Sequence, residues 1–222
     1  MKIRFLLIVI TLLINNKGYS NEEVVFNTTS SSFFVYQRDS LSVSYLNAKN
    51  YYDKKDYATS LRIALELLGK NKNLTISELV KANQLVANIF FESRSSENSV
   101  KYYRKTLKYL ILNEKNDFDS KNTGSRVDDN LIKAETYLGL GSPYYRLNST
   151  NNLKKYKDSS FYFYNEVEKI IYNNKNILQV KSRAYTNLSA MYMNDSVYDK
   201  AKQFALRAIS IHKKLNNKVN EA

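Results

Sequence analysis

Residues 183–212 read RAYTNLSAMYMNDSVYDKAKQFALRAISIH. Ala184, Tyr185, Leu188, Met191 and Tyr192 recur at helical spacing, and so do Ala201, Phe204, Ala205, Ala208, Ile209 and Ile211. That period marks two helices, each with one buried face. Between them Asn194-Asp195-Ser196 supplies turn and cap residues. The stretch predicts an αα-hairpin. A lone hairpin exposes an apolar back unless another stacks on it, so the rest of the chain is expected to repeat it.

Upstream the spacing returns. Tyr137, Leu140, Gly141 and Tyr144 parallel Tyr185, Leu188, Ser189 and Tyr192. Their second helix, around Ser159, Phe163 and Val167, follows an insertion of about six residues near 148–155. Val86, Ala87, Phe90, Ser99, Tyr103 and Thr106 form a third set, and Ala48, Tyr51, Tyr57, Ser60 and Ala64 a fourth. This pattern resembles the tetratricopeptide repeat, a helix–turn–helix unit of about 34 residues. That family prefers bulky residues at positions 4, 7, 11 and 24 of its unit and small ones at 8, 20 and 27. With Tyr185 at position 4, Leu188, Ser189 and Tyr192 take positions 7, 8 and 11, and Tyr198, Ala201, Ala205 and Ala208 take 17, 20, 24 and 27. The resemblance implies an all-α helical-hairpin repeat array, a right-handed superhelix of about four units, near 41–74, 80–113, 134–173 and 182–215.

The departures are specific. No unit has the family's Trp at position 4 or its Pro at position 32. The second helices of units two and four run on, to about Asn113 and Leu215. The polar stretch 113–129 reads as an extended loop. Pro143 falls inside a first helix, where it removes a backbone hydrogen bond and is expected to kink or split it.

Composition supports the class. Gly and Pro together are six of 222 residues, where an average chain has roughly 12%. Sheet folds lean on Gly- and Pro-rich turns, so an all-β or α/β fold is disfavoured. With no Cys and one His, disulfides, thiolate metal sites, a Cys nucleophile and multi-His metal sites are excluded.

The amino end reads as a secretory signal over residues 1–20: basic Met1-Lys2-Ile3-Arg4, an apolar run from Phe5 to Ile14, and a small-residue exit at Gly18-Tyr19-Ser20. The run is shorter than the roughly 20 residues of a membrane span. A polar leader, 21–40, follows. Residues 1–20 hold Lys2, Arg4 and Lys17 and no acid, so of 34 basic and 21 acidic residues 31 and 21 remain, net +10. These charges are scattered, unlike the clustered face of a nucleic-acid binder, and no nucleic acid is expected here.

Few residues invite chemistry. His212 lies at the end of the last helix, where the dipole and terminal carbonyls suit it. Asp117, Asp119, Asp128 and Asp129 do not fit a calcium loop, since Lys121 and Asn122 occupy key places. Gly139-Leu140-Gly141 lies in a helical pattern and reads as packing. No cofactor and no catalysis are expected.

The resemblance implies a concave groove along the first helices, at positions 2, 5, 9, 12 and 13. Here these include Tyr45, Lys49 and Tyr52; Lys81, Gln84, Asn88 and Phe91; Leu138, Tyr145 and Arg146; and Arg183, Asn194 and the adjacent Asn187. The set offers aromatics for apolar contact and Lys, Arg and Asn for polar groups, which favours a protein or peptide partner with a mild preference for acidic segments. It does not reproduce the family's carboxylate clamp. The function expected is an exported scaffold in a bacterial periplasm or envelope. The alternative is the sensory front of a longer signalling protein, with a histidine kinase or DNA-binding output beyond Ala222, as in similar chains of Bacteroidetes-type bacteria. Glu221-Ala222 reads as the opening of another first helix, since a solenoid otherwise ends in a cap.

Overall fold

The structure, a computed structural model, describes residues 43–69, 74–117, 126–170 and 174–217. All lie in the compact unit Arg38–Ala222. The expected signal and leader, 1–20 and 21–40, fall outside the described residues.

Among the described residues every regular element is a helix: α1 (43–53), α2 (Tyr57–Gly69), α3 (Ile76–Glu92), α4 (Ser96–Asp117), α5 (Arg126–Asn151), α6 (Lys154–Lys169), α7 (Lys175–Asn194) and α8 (Tyr198–Asn217). They pair in order as four hairpins. From α2 onward each helix packs on its successor, and the first helices also touch, α3 against α5 and α5 against α7. The fold is thus the all-α hairpin array expected.

One hydrogen bond recurs in every hairpin. Ser60 Oγ donates to the Ala48 carbonyl at 2.7 Å, Ser99 to Ala87 at 3.0 Å and Ser160 to Gly141 at 2.9 Å. In the fourth hairpin the roles exchange, and Ser189 donates to the Ala201 carbonyl at 2.8 Å. A serine hydroxyl can reach a facing backbone carbonyl only where the helices nearly touch, which is why the opposite residue is Ala or Gly. Ser60, Ser99 and Ser160 are fully buried, and the bond satisfies an otherwise costly hydroxyl.

Three residues further on, an aromatic stack recurs. Phe90 stacks on Tyr102 at 5.5 Å between centroids, Tyr144 on Phe163 at 5.8 Å and Tyr192 on Phe204 at 5.5 Å. Each pair joins the two helices of one hairpin and adds about 0.5–1.5 kcal/mol beyond its area. The core is a string of clusters along the array. Ala48, Ala64 and Ile89 centre one; Ala87, Tyr103 and Leu140 the next; Tyr164, Val167, Ala184 and Leu188 the last.

The third hairpin corrects the expected register. Ser160, not Ser159, makes the buried contact; Ser159 is only half-buried and donates to the Lys155 carbonyl of its own helix. The paired residues lie 19 apart there against 12 elsewhere, so the insertion is seven residues. The left-handed turn residue shows where they go. Lys55, Arg94 and Ser196 each stand seven residues past the small residue of their first helix, whereas Asn152 stands eleven past Gly141. Four residues therefore lengthen α5 and three lengthen α6, close to one turn each.

Helix also claims much of the expected loop. α4 runs to Asp117 and α5 starts at Arg126, so 113–129 is not one extended loop. Few apolar residues made it look irregular, yet a helix projecting into solvent needs few. Glu114 on α4 and Lys133 on α5 pair across the extensions at 2.7 Å. First helices likewise begin before the expected starts at 80, 134 and 182, at Ile76, Arg126 and Lys175. Thr75 opens α3 with a capping box: its hydroxyl accepts from Glu78 N and its own N–H donates to Glu78 Oε2.

Pro143 does not split α5, which is continuous through it, and its ring is fully buried. The glycines beside it act by size. A Cβ on Gly139 would lie 2.3 Å from the Tyr103 ring, and one on Gly141 2.4 Å from the Tyr164 ring. Gly141→Ala should therefore destabilise the protein by about 1–3 kcal/mol in chemical denaturation, despite the better helix propensity of Ala; unchanged stability would show that Tyr164 yields freely. The turns predict the opposite sign. Lys55, Arg94 and Ser196 hold positive φ without being Gly, so Arg94→Gly or Ser196→Gly should raise stability by about 0.5–1 kcal/mol each.

Candidate functional site

Of the thirteen expected groove residues, the structure brings six to one cleft: Tyr52 from α1, Gln84, Asn88 and Phe91 from α3, Leu138 from α5 and Arg183 from α7. Glu92, Tyr103, Glu135, Gly139 and Ser142 complete a lining around about 210 Å³. Leu138 is itself a core residue, 4% exposed, and offers only an edge.

The cleft follows from the packing. Tyr103 comes from α4, a second helix, and enters the cleft only because Gly139 leaves room for its ring. Its phenol then donates to Asn88 Oδ1. Gln84 Nε2 donates to Glu135 Oε2 at 3.1 Å, tying α3 to α5. Among the described residues, neither Glu92 nor Arg183 is held by a hydrogen bond or an ion pair. The cleft thus holds two carboxylates and one guanidinium.

Burial and charge shift the groups that line it. Glu135 is accessible through the mouth, yet the surrounding protein raises its carboxyl above the usual range; the Gln84 hydrogen bond and the Arg183 and Lys49 charges pull it back. The Tyr52 phenol is pushed up to about 12, mainly by burial, with Glu92 adding and Arg183 opposing. Burial drives Tyr103 upward as well. Both phenols are therefore neutral donors at physiological pH.

The other seven expected residues sit elsewhere. Tyr145 and Asn194 meet in a second cleft of about 170 Å³, where Asn194 Nδ2 donates to the Tyr145 hydroxyl at 2.8 Å beside the Lys157–Asp195 pair. Arg146 caps Phe91: its guanidinium lies 4.2 Å over the ring and Nη1 donates to the Phe91 carbonyl at 2.9 Å. Asn187 is half-buried near the Tyr164 hydroxyl, which donates to Ser142 Oγ at 3.2 Å. Lys49 pairs with Asp53, Tyr45 packs half-buried against α2 and α3, and Lys81 is exposed and lines neither cleft.

Glu135, Ser142 and Glu92 went unremarked in the sequence, although they stand at positions 2, 9 and 13 of their units. Their spacing from Tyr137 and Val86 is the signal in the sequence that marks them. Tyr103 stands at a packing position, and nothing in a first-helix pattern points to it.

His212 finds a side-chain partner as well as a helix end: its Nε2 lies 2.8 Å from Ser182 Oγ across α7 and α8. Ser182 is fully buried, so its hydroxyl cannot meet a substrate, and no carboxylate bonds His212 among the described residues. The pair is a cross-link. Among the described residues no helix is long and apolar enough to cross a membrane. No family model matches the chain, and no curated protein is significantly similar to it.

The raised Tyr52 phenol gives a pH test. Between about pH 10 and 12 the unfolded chain releases this proton while the folded protein retains it, so folding stability falls as pH rises through that window. Tyr52→Phe removes this contribution. Its urea midpoint should fall less steeply than that of the parent protein over the same window; parallel curves would mean that Tyr52 titrates normally.

Proposed function

We propose that this protein is a non-catalytic, exported scaffold of tetratricopeptide-like repeats, working in a bacterial periplasm or envelope, that binds a protein segment along its first helices. The supporting observation is that one cleft draws side chains from all four hairpins' first helices. A ligand seated there touches every repeat, as in groove recognition of extended or helical segments. The basic, apolar and small-residue sequence of the amino end supports export. Glu92 and Glu135 beside Arg183 favour a segment of mixed charge over a simply acidic one.

Selection of a displayed random-peptide library on the purified chain tests this reading. Bound peptides should lose about tenfold or more in affinity with Tyr52→Ala or Phe91→Ala, the aromatic anchors. Lys101→Ala and Lys202→Ala, exposed on second helices, should leave binding unchanged. No selected peptide, or peptides sensitive only to the second-helix changes, would refute it.

A further inference from the structure

We infer that the cleft between α1, α3, α5 and α7 is a site for a free α-amino acid, its ammonium at Glu135 and its carboxylate at Arg183. This goes beyond the protein-binding reading and does not depend on it.

The lining carries both signs of charge in one small cavity. An anion alone would meet two carboxylates, and a cation alone would meet the guanidinium. A neutral apolar ligand would strip water from three charges and return nothing. A zwitterion answers both signs while adding no net charge. Arg183 and Glu92 make no ion pair with each other or with another described residue, and Gln84 occupies only one oxygen of Glu135, so the charges are open to a ligand. A guanidinium suits a carboxylate because it can donate two parallel hydrogen bonds.

Size narrows the class. About 210 Å³ is below the roughly 300–1,000 Å³ typical of drug-sized ligands, which points to a molecule of amino-acid dimensions. Tyr52 and Phe91, both partly exposed, supply aromatic surface for its side chain or a ring face for its ammonium. Arg146 already covers one face of Phe91, which holds that ring in place.

The test begins with thermal-shift measurements of the purified chain against each of the twenty free L-amino acids at about 10 mM, enough to reveal a millimolar Kd. Hits are followed by calorimetry with the matching amino-acid amide, which lacks the carboxylate, and the N-acetyl derivative, which lacks the ammonium. At least one amino acid should raise Tm and saturate a single site. Its amide and its N-acetyl form should each bind about tenfold more weakly or worse. Arg183→Gln should weaken the amino acid to the level of its amide and leave the amide unaffected. Glu135→Gln should narrow the gap between the amino acid and its N-acetyl form. Circular dichroism confirms that each variant is folded. No Tm shift with any amino acid, equal binding of the blocked derivatives, or full affinity in Arg183→Gln would each overturn the assignment. Peptide capture without amino-acid binding would overturn it and leave the scaffold reading standing.

Discussion

The near-contact of the two helices in each hairpin governs the rest of the structure. A hydroxyl one carbon from the backbone reaches the facing carbonyl at 2.7–3.0 Å in all four hairpins. A side chain larger than Ala on the opposite helix would force the pair apart. Once the helices are this close, residues three positions further on meet at ring-stacking distance, as Tyr144 and Phe163 do. The backs of the hairpins then present Leu85, Leu140 and Leu188 to their neighbours. The first helices fall into one row, and only such a row can place Tyr52, Gln84, Glu135 and Arg183 around one cavity.

The third hairpin shows how strict that constraint is. Lengthening it changes its height, yet Ser160 still faces Gly141 and Phe163 still faces Tyr144. Four residues on one helix and three on the other sum to seven, and two helical turns are about 7.2 residues. An addition far from a whole number of turns would rotate one face away from its partner. The taller end also has a consequence for the surface. Asn148, Ser149, Asn152 and Lys157 belong to the lengthened tip, and with Asn194 and Asp195 they enclose the second cleft.

Much of this was legible in the sequence, because close helix packing restricts residue type at fixed intervals. Ala48 with Ser60, Ala87 with Ser99, and Ser189 with Ala201 could be paired from spacing alone. Ser160 could not, since counting across an insertion needs its length to the residue, and adjacent Ser159 is chemically identical. The helix ends beyond 113 and before 134 were hidden for another reason: solvated helix has no apolar stripe. In the cleft, positions were legible and charge balance was not. Glu92 and Glu135 lie at groove positions, but only packing shows that they share a cavity with Arg183. Tyr103 is the clearest limit, because its role depends on the absence of a side chain at Gly139.

Glycine use joins packing to the site. None of the described glycines has positive φ, and Lys55, Arg94, Asn152 and Ser196 hold the left-handed turns instead, at a local cost of about 1–2 kcal/mol each. In a chain this poor in Gly, none of the described glycines stands where Gly is conformationally easiest. Two stand in the middle of α5, where helix propensity penalises Gly by about 1 kcal/mol. The positions make sense only sterically: Gly141 admits the Tyr164 ring, and Gly139 admits Tyr103. The second of these rings crosses from the packing side into the cleft and ends on Asn88. A close contact between the second and third hairpins therefore also lines the cleft, so a change that loosens this contact must reshape the site.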